Sequence, residues 1–270
     1  MRRRNSKPII KTTVLLLAAA LVLAALILEL AKPGPHAGTC ALFDAGCRAL
    51  NGAQSLQGNW ETSLTVTANG KPHNQSEFLS FSRVSHGEDD MDIEAHFERR
   101  GGATDAVELG GVWYDDGFMY RETVSQEATL TRDKRAADMQ AALDFLDMRP
   151  AFAERDVTSS EEGKDEEGVT VLTMEFREKA ARKIVAEGMA AFGAEGKGIR
   201  IERASFTVLL DEDGMLISMA FSAKGAMRAK GTKELDTARI EYRSEYTRKT
   251  VNMTEAIHFP DRIYAFEEQQ

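Results

Sequence analysis

Cysteine and histidine are scarce: the chain holds only two cysteines and five histidines among 270 residues. Six cations against Glu29 in the first 32 residues turn a total charge of −9 into −14 for the remainder. So acidic a body repels nucleic acid and anionic surfaces, and no nucleic-acid partner is expected. His36, His73, His86, His96 and His258 are scattered, with no two at metal-ligand spacing, and the cysteine neighbourhood offers too few further ligands for zinc. His96, between Glu94 and Glu98, reads as a polar-face residue on a strand. No Gly-x-Ser-x-Gly elbow occurs. The acidic runs at residues 88–90 and 161–167 lack the spacing of a calcium loop and read as solvated loops. No internal repeat is evident. The expectation is a non-enzyme: no catalytic residues, no metal and no cofactor.

The first 32 residues carry the strongest signal. Arg2, Arg3, Arg4, Lys7 and Lys11 precede an unbroken run of Val, Leu, Ala and Ile over residues 14–28. With its flanks, residues 12–31, the run reaches the roughly 20 residues that span a bilayer. The N-terminal cations favour a cytoplasmic start and an exported body. Cleavage after Ala31 would put Glu29 at the minus-three position, and Ala37 lies far from the apolar run, so both are poor cleavage positions. Ala37, Gly38 and Thr39 before Cys40 fit a lipoprotein signal badly. An uncleaved anchor is favoured over a cleaved leader. The expected division is therefore a cytoplasmic basic segment over residues 1–11, a transmembrane anchor over 12–31, a linker over 32–57 and an extracytoplasmic β-rich domain over 58–270. That places the protein in the cell membrane, single-pass, in an envelope of bacterial type.

The linker holds Cys40 and Cys47. In an oxidising compartment a close even pair reads as a disulfide. On one straight helix the two would lie about 10 Å apart, too far to bridge, so the disulfide requires a bend, which Asp44, Ala45 and Gly46 can supply. Two unrelated thiols are the other reading.

From Trp60 onward the hydrophobic period is two. Trp60, Leu64, Val66 and Ala68 alternate with polar residues up to Asn69 and Gly70, a hairpin turn signal. Residues 76–84 read as the return strand, and Met91, Ile93, Ala95 and Phe97 mark the next. Two more runs, 107–114 and 118–123, flank Asp116 and Gly117, with Gly110 and Gly111 suggesting a bulge or sharp bend. Trp113, Tyr114 and Tyr120 form a candidate exposed contact patch beside this hairpin, although sheet packing accounts for them equally well. Residues 134–148 turn helical, with Met139, Ala142, Leu143 and Leu146 on one face. Residues 158–168 read as an acidic loop, 169–177 as a strand and 178–192 as a helix weakened by Gly188. Phe206 and Val208, then Met219 and Phe221, then Ile240, Tyr242 and Tyr246 mark three late strands, and residues 257–261 a closing edge segment. The sum is an α+β fold: a strongly curved antiparallel sheet, a half-barrel of about 9–11 strands, with helices on its concave face.

This order of elements resembles the LolA/LolB-like lipoprotein-carrier superfamily and the related lipid-binding mycobacterial lipoproteins. The resemblance covers residues 58–262. It rests on the hairpin-rich first half, the helical insertions, the strand–turn–strand over residues 209–219 centred on Asp211 and Gly214, and the closing Ile257, His258, Phe259, Pro260 and Asp261. It implies a hydrophobic groove between sheet and helices that accepts acyl chains, and hence a lipid or lipoprotein as partner. Members of the family are commonly soluble or anchored at a lipidated cysteine, whereas this chain carries a helical anchor.

The candidate ligand-binding residues are Trp60, Leu64 and Val66 on the first strand and Met91, Ile93 and Phe97 on the third. They continue with Phe206, Val208, Met219, Phe221, Ile240 and Tyr242 on the late strands, and Leu143 and Leu146 with Met139 and Met189 on the helices. Eleven methionines suit an adaptable apolar pocket. The same residues would also make an ordinary dry core. Two functions follow: a membrane-anchored binding protein for a lipid or other hydrophobic ligand, or a non-enzymatic interaction protein of the envelope. A cavity of a few hundred cubic ångströms separates them.

Overall fold

A computed structural model describes residues 34–87, 90–101, 106–125, 129–147, 149–194, 197–228 and 238–266. The anchor expected over residues 12–31 lies outside the described residues, as does the basic segment before it. Among the described residues no helix is long and apolar enough to cross a membrane.

Eleven antiparallel strands form one open sheet. The first six are β1 (Ser55–Ala68), β2 (Lys71–Ser85), β3 (Met91–Gly101), β4 (Ala106–Asp115), β5 (Phe118–Val124) and β6 (Leu130–Ala136). The rest are β7 (Val157–Lys164), β8 (Thr170–Phe176), β9 (Lys197–Leu210), β10 (Leu216–Arg228) and β11 (Ala238–Val251). Among the described residues three α-helices accompany them: α1 (Ala37–Asn51), α2 (Met139–Leu146) and α3 (Glu178–Ala191).

The spatial order is β6-β5-β4-β3-β2-β1-β11-β10-β9-β8-β7. The chain meanders outward from β1 to β6, crosses to the far edge at β7, and meanders back until β11 pairs with β1. Hairpin chemistry drives the outward path. Asn69 and Gly70 take φ of 53° and 73°, and Asp116 and Gly117 take 44° and 77°, the left-handed pairs that a tight turn between twisted strands needs.

The crossover dictates where α2 sits. A flat sheet of this order would be roughly 48 Å across at ~4.8 Å per strand. Yet inward side chains from β1 to β5 and from β7 to β11 pack into one cluster with all three helices. α2 is only about 12 Å long at ~1.5 Å per residue. One cluster therefore requires the sheet to curl around the helices, which occupy its concave side. The segment between β6 and β7 crosses this hollow and carries α2 over it.

Several expectations need correcting. The helix expected from residue 134 starts only after Asp138, whose side chain caps it by accepting from the Ala141 N–H at 2.7 Å; residues 134–136 belong to β6. The acidic loop expected over residues 158–168 contains β7, a sheet edge. Its side chains are mostly exposed because it pairs on one side only, and a charged edge discourages further pairing. No bulge occurs at Gly110 and Gly111, where the β3–β4 and β4–β5 registers run unbroken. Those glycines instead make room for rings: a Cβ at Gly110 would lie 2.3 Å from the Phe97 ring, and one at Gly111 the same distance from Trp113.

The linker expected over residues 32–57 holds α1 and the start of β1. α1 turns Phe43, Gly46, Cys47 and Leu50 into the core, and Phe43 meets the Phe206 ring edge-on at 5.2 Å. This continuous stripe overrides the expected bend. Cys40 and Cys47 are free thiols on one unbroken helix, so the disulfide is not formed.

The aromatic patch on β4 and β5 is not exposed either. Trp113 and Tyr120 face the outer side of the sheet, where Ile263, Phe266 and the partly buried Phe259 cover them. The C-terminal segment thus packs as a strap ending in a short 3-10 turn, Asp261–Ala265, and not as an edge strand.

Candidate functional site

A cavity of about 360 Å³ lies between α1, α2 and the centre of the sheet. Cys47, Leu50 and Asn51 of α1 form one wall, and Met139, Leu143 and Leu146 of α2 another. The floor comes from Leu56 and Trp60 of β1, Phe81 and Arg83 of β2, Met91 of β3, Leu216 and Met219 of β10 and Tyr246 of β11. The residues after α2, Asp147 and Arg149, stand at the rim with Asp144 and Gln140.

Local sequence explains the floor. In β11 the side chains of Ala238, Ile240, Tyr242, Ser244 and Tyr246 point inward in strict alternation. In β2 the inward series is Leu79, Phe81 and Arg83. Between them β1 carries Gly58 beside a register shift. A Cβ there would lie 2.8 Å from the Tyr246 ring and 3.0 Å from the Phe81 ring, so the missing side chain lets both rings lean over β1. Trp60 joins them, 5.1 Å from Tyr246 between centroids. Its indole N–H donates to the Leu146 carbonyl at 2.9 Å in a buried bond. That bond ties the C-terminal end of α2 to the sheet and fixes the distance between wall and floor.

The floor also holds two polar groups with unusual surroundings. Arg83 is 3% exposed. Its Nη2 donates to the carbonyls of Leu50, Asn51 and Ala53, each at 3.2 Å, and so closes the C-terminal end of α1. Its Nε has no partner, and among the described residues no carboxylate pairs with it. Burial pulls its pKa down from the ordinary arginine value. The Tyr246 hydroxyl is likewise buried without a partner among the described residues, and burial pushes its pKa well above the ordinary tyrosine value. Each buried hydrogen-bonding group left unpaired costs about 1–3 kcal/mol. At the rim, Arg149 is paired with Asp147, and the exposed Asp144 accepts from the neutral Gln140 amide. Cys47 is buried, which pushes its thiol pKa up against the opposing pull of Arg149.

The expected ligand-binding residues divide. Trp60, Met91, Leu143, Leu146 and Met219 line the cavity, with Met139 from the lid. Leu64, Ile93, Phe97, Phe206, Val208, Phe221 and Ile240 are buried in the filled core, and Val66 is partly buried against it. Met189 is also core. Tyr242 lines a separate hollow of about 230 Å³ beneath α3, where its ring takes the space that a side chain at Gly188 would need. Gly188, expected only to weaken the helix, lets α3 approach the sheet. Sequence reasoning missed Arg83 and the α1 wall. The available signal was an arginine in phase with Leu79 and Phe81 on the inward side of β2.

The fold and the cavity define a class: an open, curled antiparallel sheet that holds helices and a semi-enclosed cavity, lined by both apolar and polar side chains, on its concave side. No family model matches the sequence, and no curated protein matches it. Among solved structures the chain is similar to LprF from Mycobacterium bovis, at 11% identity over 85% of this chain and 99% of that one, TM-score 0.40. It is also similar to a DUF1329 family protein from Desulfovibrio piger, at 12% identity over 82% and 95%, TM-score 0.25. A third is an outer membrane lipoprotein-sorting protein domain from Vibrio parahaemolyticus, at 8% identity over 81% and 93%, TM-score 0.23. One of these three is a lipoprotein-sorting domain, the kind of structure that the order of elements resembles. At these scores the likeness carries no weight for function, which rests on the chain's own geometry.

Proposed function

We propose that this chain is a membrane-anchored extracytoplasmic protein that binds a lipid or other hydrophobic molecule without chemically changing it. The cavity of about 360 Å³ supports this reading: its size falls within the range of small-molecule sites, and it is lined by adaptable side chains, Met91, Met139, Leu143 and Met219. Sequestering a chain there removes apolar surface from water at about 25 cal/mol per Å². The anchor rests on the basic start and the apolar run over residues 12–31. The second reading, an interaction protein with a dry core, draws on the filled packing around Phe206 and Leu64. It loses its expected docking patch, because Trp113 and Tyr120 are covered.

The test uses the full chain in phosphatidylcholine nanodiscs with the neutral fluorescent probe N-phenyl-1-naphthylamine, corrected against empty nanodiscs. Saturable uptake that a folded Leu143→Glu variant loses supports the binding reading. No uptake by the unaltered chain, together with no lipid beyond bulk composition in its native mass spectrum, sinks it in favour of the interaction reading.

A further inference from the structure

The cavity floor places a guanidinium with a free Nε and a hydroxyl with no partner among aromatic rings. Resting on the binding reading above, we infer that the ligand is a single-chain amphiphile with a compact anionic headgroup, carboxylate or phosphate monoester, held by Arg83 Nε and the Tyr246 hydroxyl.

Both side chains line the same cavity and both polar atoms are buried. Trp60 and Phe81 pack around the Tyr246 ring, and neither polar atom has a partner among the described residues. A water molecule would satisfy two hydrogen bonds but would leave the arginine charge without a counter-charge. The helix carbonyls supply only partial negative charge, and they hold the Nη2 end of the guanidinium. An oxyanion supplies the acceptor and the charge together, in charge-assisted bonds about twice as strong as neutral ones. A cationic headgroup would meet like charge. The other charged groups at the cavity are Asp144, Asp147 and Arg149; the last two neutralise each other and Asp144 is exposed at the rim. Size restricts the tail. A cavity of about 360 Å³ lies at the small end of ligand sites and suits a slender single-chain occupant.

Displacement of N-phenyl-1-naphthylamine from the full chain in phosphatidylcholine nanodiscs tests this. The competitors are dodecanoate, dodecyl phosphate, dodecanol and dodecyltrimethylammonium. At least one anion is expected to displace the probe at about one-tenth the concentration that dodecanol needs, the scale of one charge-assisted bond. Preference for dodecanoate assigns a carboxylate, and preference for dodecyl phosphate a phosphate monoester. Arg83→Gln is expected to bring anion and alcohol together while the dodecanol midpoint stays in place. Because Arg83 also closes α1, Tyr246→Phe serves as the second variant and is expected to narrow the ratio severalfold. Equal displacement by anions and alcohol, or a lead for the cation, overturns the headgroup inference while the binding reading stands. An unchanged anion preference in Tyr246→Phe overturns the assignment of the site. A chain that takes up no probe fails at the binding reading itself.

Discussion

Replacing Trp60 by phenylalanine should release α2 from the sheet. The indole N–H that disappears is the donor to the buried Leu146 carbonyl. Leaving that carbonyl unpaired costs about 1–3 kcal/mol. The smaller ring also opens space beside Tyr246 and Met219, which adds roughly 1 kcal/mol for a partly relaxed cavity. The total, about 2–4 kcal/mol, corresponds for a domain of this size to a fall in Tm of roughly 4–16 °C. The effect should also be local. α2 has only Ala142 and Leu146 buried, and eight residues form no stable helix alone. Hydrogen exchange read by mass spectrometry should show amides of residues 139–146 exchanging much faster in Trp60→Phe. The matching control is Trp113→Phe. It removes a donor to Glu94 on the outer face of the sheet and should leave α2 exchange as it was. If Trp60→Phe lowers the melting point but α2 exchanges at the original rate, the tie between Trp60 and Leu146 does not hold α2 in place.

Three further predictions follow from other parts of the fold. Ile263→Asp should detach the C-terminal strap, because Ile263 is fully buried against Trp113 and Tyr120. The expected cost is about 2–5 kcal/mol, with stronger quenching of Trp113 fluorescence by acrylamide and no change in probe uptake at the cavity. Denatured without reductant, the purified chain should take up two maleimide groups, as expected for two free thiols; uptake of none would restore the disulfide. In the folded chain Cys40, half-exposed, should react before Cys47. His86 Nε2 donates to the Asp92 carboxylate at 2.9 Å, and that bond raises its pKa above the ordinary value near 6.5. A raised histidine pKa means stability fully present below the unfolded value and lost as pH rises through the folded one. NMR titration of His86 should therefore give a pKa above that of His86 in an Asp92→Asn variant. The effect on stability should be small, because His86 is exposed and solvent screens the pair.

The features legible in advance were those set by neighbours along the chain. Strict alternation from Ala238 to Tyr246 determined β11 and which of its side chains face inward. Asn69 with Gly70 and Asp116 with Gly117 determined two hairpins, because only such residues relieve positive φ cheaply. The apolar stripe of Ala181, Val185 and Met189 determined α3 and its buried face. Where local signals conflicted, the tertiary structure decided. Glycine and aspartate around residue 45 suggested a bend, but a continuous stripe packed against β9 and β10 keeps α1 straight and its thiols apart. Serine and glutamate from residue 158 suggested a loop, but an edge strand needs only one partner and tolerates them.

The sequence by itself determined that the inward face of this sheet is apolar and rich in aromatic and methionine side chains. Whether a given inward residue fills the core or lines a cavity was decided only by the tertiary structure. That distinction depends on the balance between the volume enclosed by the curled sheet and the volume of the side chains sent into it, which no period along one strand records. Phe206 and Trp60 follow the same alternation, yet Phe206 meets Phe43 of α1 while Trp60 faces the gap that α2 leaves. Arg83 follows it too. Its charge stands out only once three strands and two helices have closed around it.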